Sequence, residues 1–290
     1  GKFFGVDGQT RLRGAHDAYR DALANKDYDL AAELEDTRLQ FTLTFCEDRY
    51  KEAYIFYLIN QYAKKIPTEG AIRLLYEGQK NNDIHFVNEI TRARKDDDVE
   101  VMEVVQKLSE KSAVWEGNIA DFNEATKKKI AINVLARLIK PLHKIIKDNA
   151  EFKSLKAWEV TYKVVEAYWS GFMDAYPEMF EINNDTKFNA LKTGSAEIMM
   201  MFLCRIYEYN ILGQINVGQM TDKKVFEKLL KKTLDNFKDM NKTDTAELSG
   251  TDLFLVGKGS MGKYGNADGK KECVKKITKE FFKQHGIPVT

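Results

Sequence analysis

Asp7, Gly8, Gln9, Thr10 and Arg11 carry residue types and spacing that suit an anion site. A glycine lets the backbone bend where a strand gives way to a helix, and a short acidic side chain ahead of that helix accepts its first unbonded amides. A helix N-terminus concentrates partial positive charge, and a guanidinium one turn in forks onto phosphate or carboxylate oxygens. In this reading Gly8, Gln9 and Thr10 offer amides to a phosphate and Arg11 neutralises it. Asp7 caps the helix or positions a magnesium-bound water or a hydroxyl. The competing reading of the same five residues is a helix cap with a surface ion pair. Arg13 points elsewhere on a helix, and His16 lies off the Arg11 face.

Two further groups have the right chemistry. Asn60, Lys64 and Lys65 sit together at what reads as a helix end, where the lysines either contact a substrate or DNA or simply complement the helix dipole. Near the C-terminus, Gly257-Lys258-Gly259-Ser260-Met261-Gly262-Lys263-Tyr264 has phosphate-loop spacing after the apolar run Leu253-Phe254-Leu255-Val256. Its last position fails, since a tyrosine cannot supply the small hydroxyl that holds magnesium. The segment therefore reads as a basic loop in which Lys258 and Lys263, with Lys270, Lys271 and the run Lys127-Lys128-Lys129, are candidates for phosphate-backbone contact. No zinc-ligand spacing, serine-histidine-aspartate order or nucleophile elbow is present, so no metal ligand or catalytic residue is assigned.

The elements that must position these groups change character along the chain. Phe3 to Val6 is an apolar run that predicts a strand, Ala15 to Leu34 carries helix formers with breaks near Asn25 and Asp29, and Leu39 to Phe45 alternates as a half-buried strand. A helical crossover between the two strands suits parallel pairing. Beyond Glu47 helical patterning takes over, with Pro67 in a helix first turn and further helices expected over 82–94, 99–108, 130–146, 155–172, 190–211, 222–238 and 270–284. Lys95-Asp96-Asp97-Asp98 reads as a charged hinge with an aspartate cap, and Pro141 as a kink or restart. Ile198 to Leu203 is apolar all round and is expected to be the central buried helix. A short strand is expected at Asp252 to Val256. The fold class is α+β, with a small α/β portion over residues 1–80 and a mainly helical domain over 81–290 that ends in that strand and the glycine-rich loop.

At Asp7-Gly8-Gln9-Thr10-Arg11 the chain resembles the DGQHR-domain family, which includes the DNA-phosphorothioation-associated protein DndB and belongs to the ParB/sulfiredoxin-like superfamily. Thr10 stands where the family's name motif has histidine. A second segment, Phe56 to Pro67, is similar to a later stretch of the family in which a phenylalanine, an Ile-Asn pair and a basic residue precede a helix. The resemblance is clearest over residues 1–75. It implies a ParB/sulfiredoxin-like N-terminal portion and a nucleoside triphosphate with magnesium as the ligand of the turn. It also implies DNA as a further partner and a role in DNA modification, phage defence or their regulation; an enzyme that hydrolyses or transfers phosphate on nucleotide or DNA is a separate third reading, for which no nucleophile or base is assigned. A homo-oligomer or a partner chain fits the same picture. Only six residues precede Asp7, where the superfamily brings several strands, so the first part of that fold is expected to lie before Gly1. The alternative is a helical protein–protein interaction module in which the phosphate turn is a structural corner.

Composition sets the frame for either reading. The 290 residues contain 31% charged and 43% hydrophobic side chains, and 45 lysines and arginines nearly balance 44 acids, so any nucleic-acid surface must be local. No apolar run approaches bilayer length, which excludes a membrane partner at this stage. Cys46, Cys204 and Cys273 are scattered and odd in number, reading as reduced thiols in a cytoplasmic protein.

Overall fold

The computed structural model describes residues 9–37, 54–55, 69–83, 86–88, 95–120, 130–149, 155–180, 190–215, 220–240, 247–254 and 264–287. They fall into two compact units, residues 1–90 and 91–290. The strands expected at 3–6 and 39–45 lie outside the described residues.

In the first unit, α1 (Gln9–Ala24) and α2 (Tyr28–Glu35) pack as a helical hairpin. The reversal is made by Lys26 at φ 59° and by Asp27, whose Oδ1 accepts from the Leu30 amide at 3.1 Å. This is the break expected near Asn25. α3 (Glu69–Lys80) ends in a second reversal at Asn82, φ 54°, after which Asp83 Oδ1 accepts from the Phe86 amide. The Phe86 ring lies over Gly78, where any Cβ would meet it at 2.2 Å, and stands edge-on to Tyr54.

The second unit is built around α6. In chain order it contains α4 (Asp96–Lys111), the parallel pair β1 (Ile119–Ala120) and β2 (Ile130–Ala131), α5 (Ile132–Asp148) and α6 (Ala157–Ala175). Then come α7 (Thr193–Ile211), α8 (Lys223–Asp235), the antiparallel pair β3 (Lys238–Met240) and β4 (Glu247–Ser249), and α9 (Ala267–His285). α6 packs against α4, α5 and α8, while α7 packs against α5 and α9, and α9 also meets α8. The described residues are thus predominantly helical, with two sheets of two short strands each.

Aromatic density at helical spacing places the core. Trp169 of α6 is fully buried, edge-on to Trp115 at 4.8 Å, and its indole N–H donates to the Met200 sulfur at 3.3 Å. One residue earlier, the Tyr168 hydroxyl donates to the Met199 carbonyl of α7 at 2.9 Å, satisfying a polar atom that burial would otherwise penalise. Phe172, one turn on, meets Phe180 and Phe254. α7 is the buried helix its composition predicts: Ile198, Met199, Met200, Phe202 and Leu203 are almost wholly enclosed, and only Met201 keeps partial exposure. Cys204 follows, and burial pushes its thiol up to about 12, so it is not a thiolate nucleophile. Cys273 is buried; Cys46 lies outside the described residues.

Three local expectations are corrected. The Asp252–Val256 strand is instead a 3₁₀ turn at Thr251–Phe254, with residues 255 and 256 outside the described set. Asp252 Oδ2 accepts from both the amide and the hydroxyl of Ser249, which curls the chain and lets consecutive Leu253 and Phe254 both enter the core. A strand would have sent them to opposite faces. The aspartate cap of α4 is absent: Lys95 occupies the cap position without a side-chain bond, and Asp96, Asp97 and Asp98 form the first helical turn, where they face the positive end of the dipole. α5 does not restart at Pro141 but continues through it, with the buried residues Leu138, Ile139, Leu142 and Ile146 on either side.

Candidate functional site

Of the residues singled out for phosphate binding at the N-terminus, Gln9, Thr10 and Arg11 form the first residues of α1, while Asp7 and Gly8 lie outside the described set. Asn60, Lys64, Lys65, Lys258 and Lys263 also lie outside it, as do Lys127, Lys128 and Lys129. Two further lysines are described, one at a contact between helices and one on the surface. Lys270 pairs with Glu197 of α7 at 2.7 Å on a largely covered side chain, and Lys271 lies 3.8 Å from Asp268 on its own helix. Lys270 therefore ties α9 to α7 rather than offering a free cation. Tyr264, which breaks the phosphate-loop pattern, is buried, and its hydroxyl donates to the Asp239 carboxylate.

The second unit brings together charged groups that the sequence left scattered. A groove of about 460 Å³ opens between the β3 end and α9, lined by Lys238 and Asp239 on one side and Lys276, Lys279, Glu280 and Lys283 on the other. Lys276 Nζ lies 3.0 Å from Asp239 Oδ1 and 2.8 Å from Glu272, and these carboxylates outweigh the effect of burial and raise its pKa. It stays charged at any physiological pH. Lys279 is exposed and has no acidic partner among the described residues. The groove has the chemistry of an anion-binding surface, with cations set by a helix and a hairpin thirty or more residues apart. Its sequence signal is the lysine repetition of α9, every three to four residues on one side.

A different polar cluster holds α4, α5 and α6 together. His143 is fully buried. Its Nδ1 lies 3.0 Å from Thr161 Oγ1, and because that hydroxyl donates to the Ala157 carbonyl at 2.8 Å, its oxygen accepts from Nδ1–H. The other nitrogen lies 2.9 Å from Glu100 Oε2 without the alignment of a hydrogen bond. Lys147 donates to Asp97 at 2.9 Å and Glu100 at 3.0 Å, and Lys140 pairs with Asp98. Burial pushes the Glu100 carboxyl up, but its contacts with His143 and Lys147 outweigh this and hold it below the usual range. Asp97 is lowered on the same balance. The cluster has internal partners and no opening onto the groove, which makes it a structural lock.

Its pH dependence follows from these signs. Carboxyls with depressed folded-state pKa values contribute stability that is fully present above their unfolded values and is lost as pH falls through the lower folded ones. Glu100→Gln will therefore cost roughly 1 to 2 kcal/mol at pH 7, below the range for a fully enclosed charge pair because the carboxylate is partly exposed. The gap to wild type will begin to close as pH falls through about 4, the ordinary carboxylate value, and will go on closing through the lower folded one. Urea melts of both proteins at pH 7 and pH 3.5 measure this, and a gap independent of pH removes the lock.

Among the described residues no three histidine, cysteine or carboxylate side chains cluster to hold a metal, and no helix is long and apolar enough to cross a membrane. Compared with known proteins, the chain matches no protein-family model, no curated protein and no solved structure.

Proposed function

We propose that the chain is a DGQHR-like protein that binds a nucleotide or DNA phosphate at the turn Asp7 to Arg11 and serves DNA modification, phage defence or their regulation. In this reading the first unit is the ParB/sulfiredoxin-like portion, and the mainly helical second unit is its body. The observation that carries the reading is the placement of Gln9, Thr10 and Arg11 at the head of α1, directly after Asp7-Gly8. Helix-start amides and a guanidinium one turn in are the donors a phosphate needs. The ligand proposed for the turn is a nucleoside triphosphate with magnesium, and Asp7 is the residue type there that suits the metal's water shell.

Arg11→Ala will weaken binding of ATP or CTP by roughly 1.5 to 3 kcal/mol, the size of a hydrogen bond to a charged group, and leave the melting temperature unchanged. Calorimetric titration beside thermal melts checks both. Equal binding by the two proteins, or none by wild type, ends the phosphate-site reading.

A second reading has its own support. α1 and α2 leave Leu23, Tyr28 and Leu30 exposed, while among their described side chains only Ala22 and Ala31 are buried. A helical interaction module would present such a hairpin to a protein partner, and Arg11→Ala would then leave nucleotide titrations flat for both proteins.

A further inference from the structure

We infer that the lysine-bearing surface of α8 and α9 docks the phosphate backbone of duplex nucleic acid. The inference deepens the nucleic-acid part of the proposed function and rests on it for the identity of the partner. Its physical basis lies wholly in the second unit.

Charge is segregated along the chain. The whole sequence is close to neutral, with 45 basic and 44 acidic residues, yet residues 222–286 hold fifteen lysines against ten acids and no arginine. The fold sorts these lysines further. α8 turns Phe226, Leu229, Leu230 and Leu234 into the core, which leaves Lys224, Lys228 and Lys232 as an exposed row at i, i+4 and i+8. Two acids share the helix: Glu227, partly exposed between Lys224 and Lys228, and Asp235 at its end, which accepts from the Tyr176 hydroxyl at 2.6 Å. The row leads towards the end of α9: the His285 pKa is lowered by burial first and then by the Lys232 charge. From there Lys279 continues the positive surface into the groove against Lys238, beside Lys283, which lies 3.7 Å from Glu280 on its own helix.

Lysines that serve the fold are paired with acids: Lys223 with Asp174 at 2.7 Å, Lys270 with Glu197 at 2.7 Å, Lys276 with Asp239 at 3.0 Å. Lys224, Lys228, Lys232 and Lys279 have no such partner among the described residues. Like charges four residues apart work against a helix, so the row carries a cost that a polyanion removes. Lysine is a point charge suited to phosphates, whereas base-edge reading favours the bidentate fork of arginine, which is absent here. A membrane is the poorer fit. Surface-lying membrane helices insert an apolar face, and the apolar sides of α8 and α9 are buried against the protein.

The test is fluorescence anisotropy of a labelled 20-base-pair duplex across a salt series. It compares wild type with the triple variant Lys228→Gln, Lys232→Gln, Lys279→Gln, and with a control variant carrying Lys111→Gln, Lys156→Gln and Lys163→Gln. Wild type will bind with a dissociation constant of roughly 10⁻⁴ to 10⁻⁶ M at physiological salt, the non-specific range. The triple variant will lose at least about tenfold in affinity at 0.1 M salt, and its log–log salt slope will be shallower by about 2 to 3, as expected when three phosphate contacts are removed. The control variant will bind like wild type, and thermal melts will show all three proteins folded. No duplex binding by wild type, equal binding by the triple variant, an equal loss in the control, or tighter binding to phosphatidylserine vesicles or polyglutamate than to duplex each overturns the inference. ATP titrations against Arg11→Ala are read separately, so failure here is distinguishable from failure of the N-terminal phosphate site.

Discussion

Trp169→Ala will destabilise the second unit by about 3 to 5 kcal/mol, the usual cost of removing a large buried aromatic. Domain stabilities run to about 5 to 15 kcal/mol, so this loss takes most of the margin. The reason is local. Trp169 is wholly enclosed, stands edge-on to Trp115, Tyr168 and Phe180, and gives its N–H to Met200, so truncation leaves a cavity at the meeting of α6 and α7 and removes a satisfied donor. All three tryptophans belong to this unit, and Trp115 and Trp158 remain to report its unfolding by fluorescence in urea. Trp169→Phe keeps most of the volume and will cost less than half as much. A loss below about 1 kcal/mol for the alanine variant, the scale of an ordinary surface change, shows that this side chain does not organise the core.

The second large effect concerns a glycine whose replacement should help on propensity alone. Gly171 lies inside α6, where alanine is ordinarily favoured by about 1 kcal/mol. A Cβ there would sit 2.6 Å from the Lys223 carbonyl oxygen and 2.8 Å from the Glu227 amide nitrogen, both backbone atoms at the start of α8. Backbone cannot swing aside as a side chain does, so the two helices must separate. Gly171→Ala will lower stability by roughly 1 to 3 kcal/mol, and Gly171→Val by more. Gly14 in α1 supplies the contrast, since nothing lies within 4 Å of its added Cβ and Gly14→Ala will gain up to about 1 kcal/mol. Opposite signs for the two alanine variants in denaturant melts establish that close α6–α8 contact, not helix propensity, fixes Gly171.

Those two positions show where the sequence was legible. The helical patterning over 155–172 and the all-round apolar run at Ile198 indicated the helices that form the core, because burial pattern is a local property of a 3.6-residue repeat. The same repeat located α8 and α9. What stayed hidden is long-range. Asp97 and Asp98 look like caps in a linear reading, and only the packing of α5 against α4 brings Lys147 and Lys140 to them across more than forty residues. Leu253-Phe254 has strand composition, but a serine hydroxyl and an aspartate three residues apart curled the chain first. Lys238 and Lys279 share a groove through a pairing of hairpin and helix that no local pattern encodes. At the N-terminal turn the sequence offered donor chemistry, and the structure adds the helical state of Gln9, Thr10 and Arg11.

The anchoring of Phe254 and Tyr264 has a consequence for protein engineering. Phe254 is locked against Phe172, and Tyr264 is held through its hydroxyl to Asp239, so the nine residues between them join two fixed posts in the same unit. Closing a connection between fixed ends costs entropy that grows only logarithmically, about 0.6 kcal/mol for each doubling of length. Length there is cheap and the posts are not. An insertion between residues 255 and 263 spares the Phe254 and Tyr264 contacts themselves, and is expected to leave the melting temperature of the second unit close to that of the parent protein.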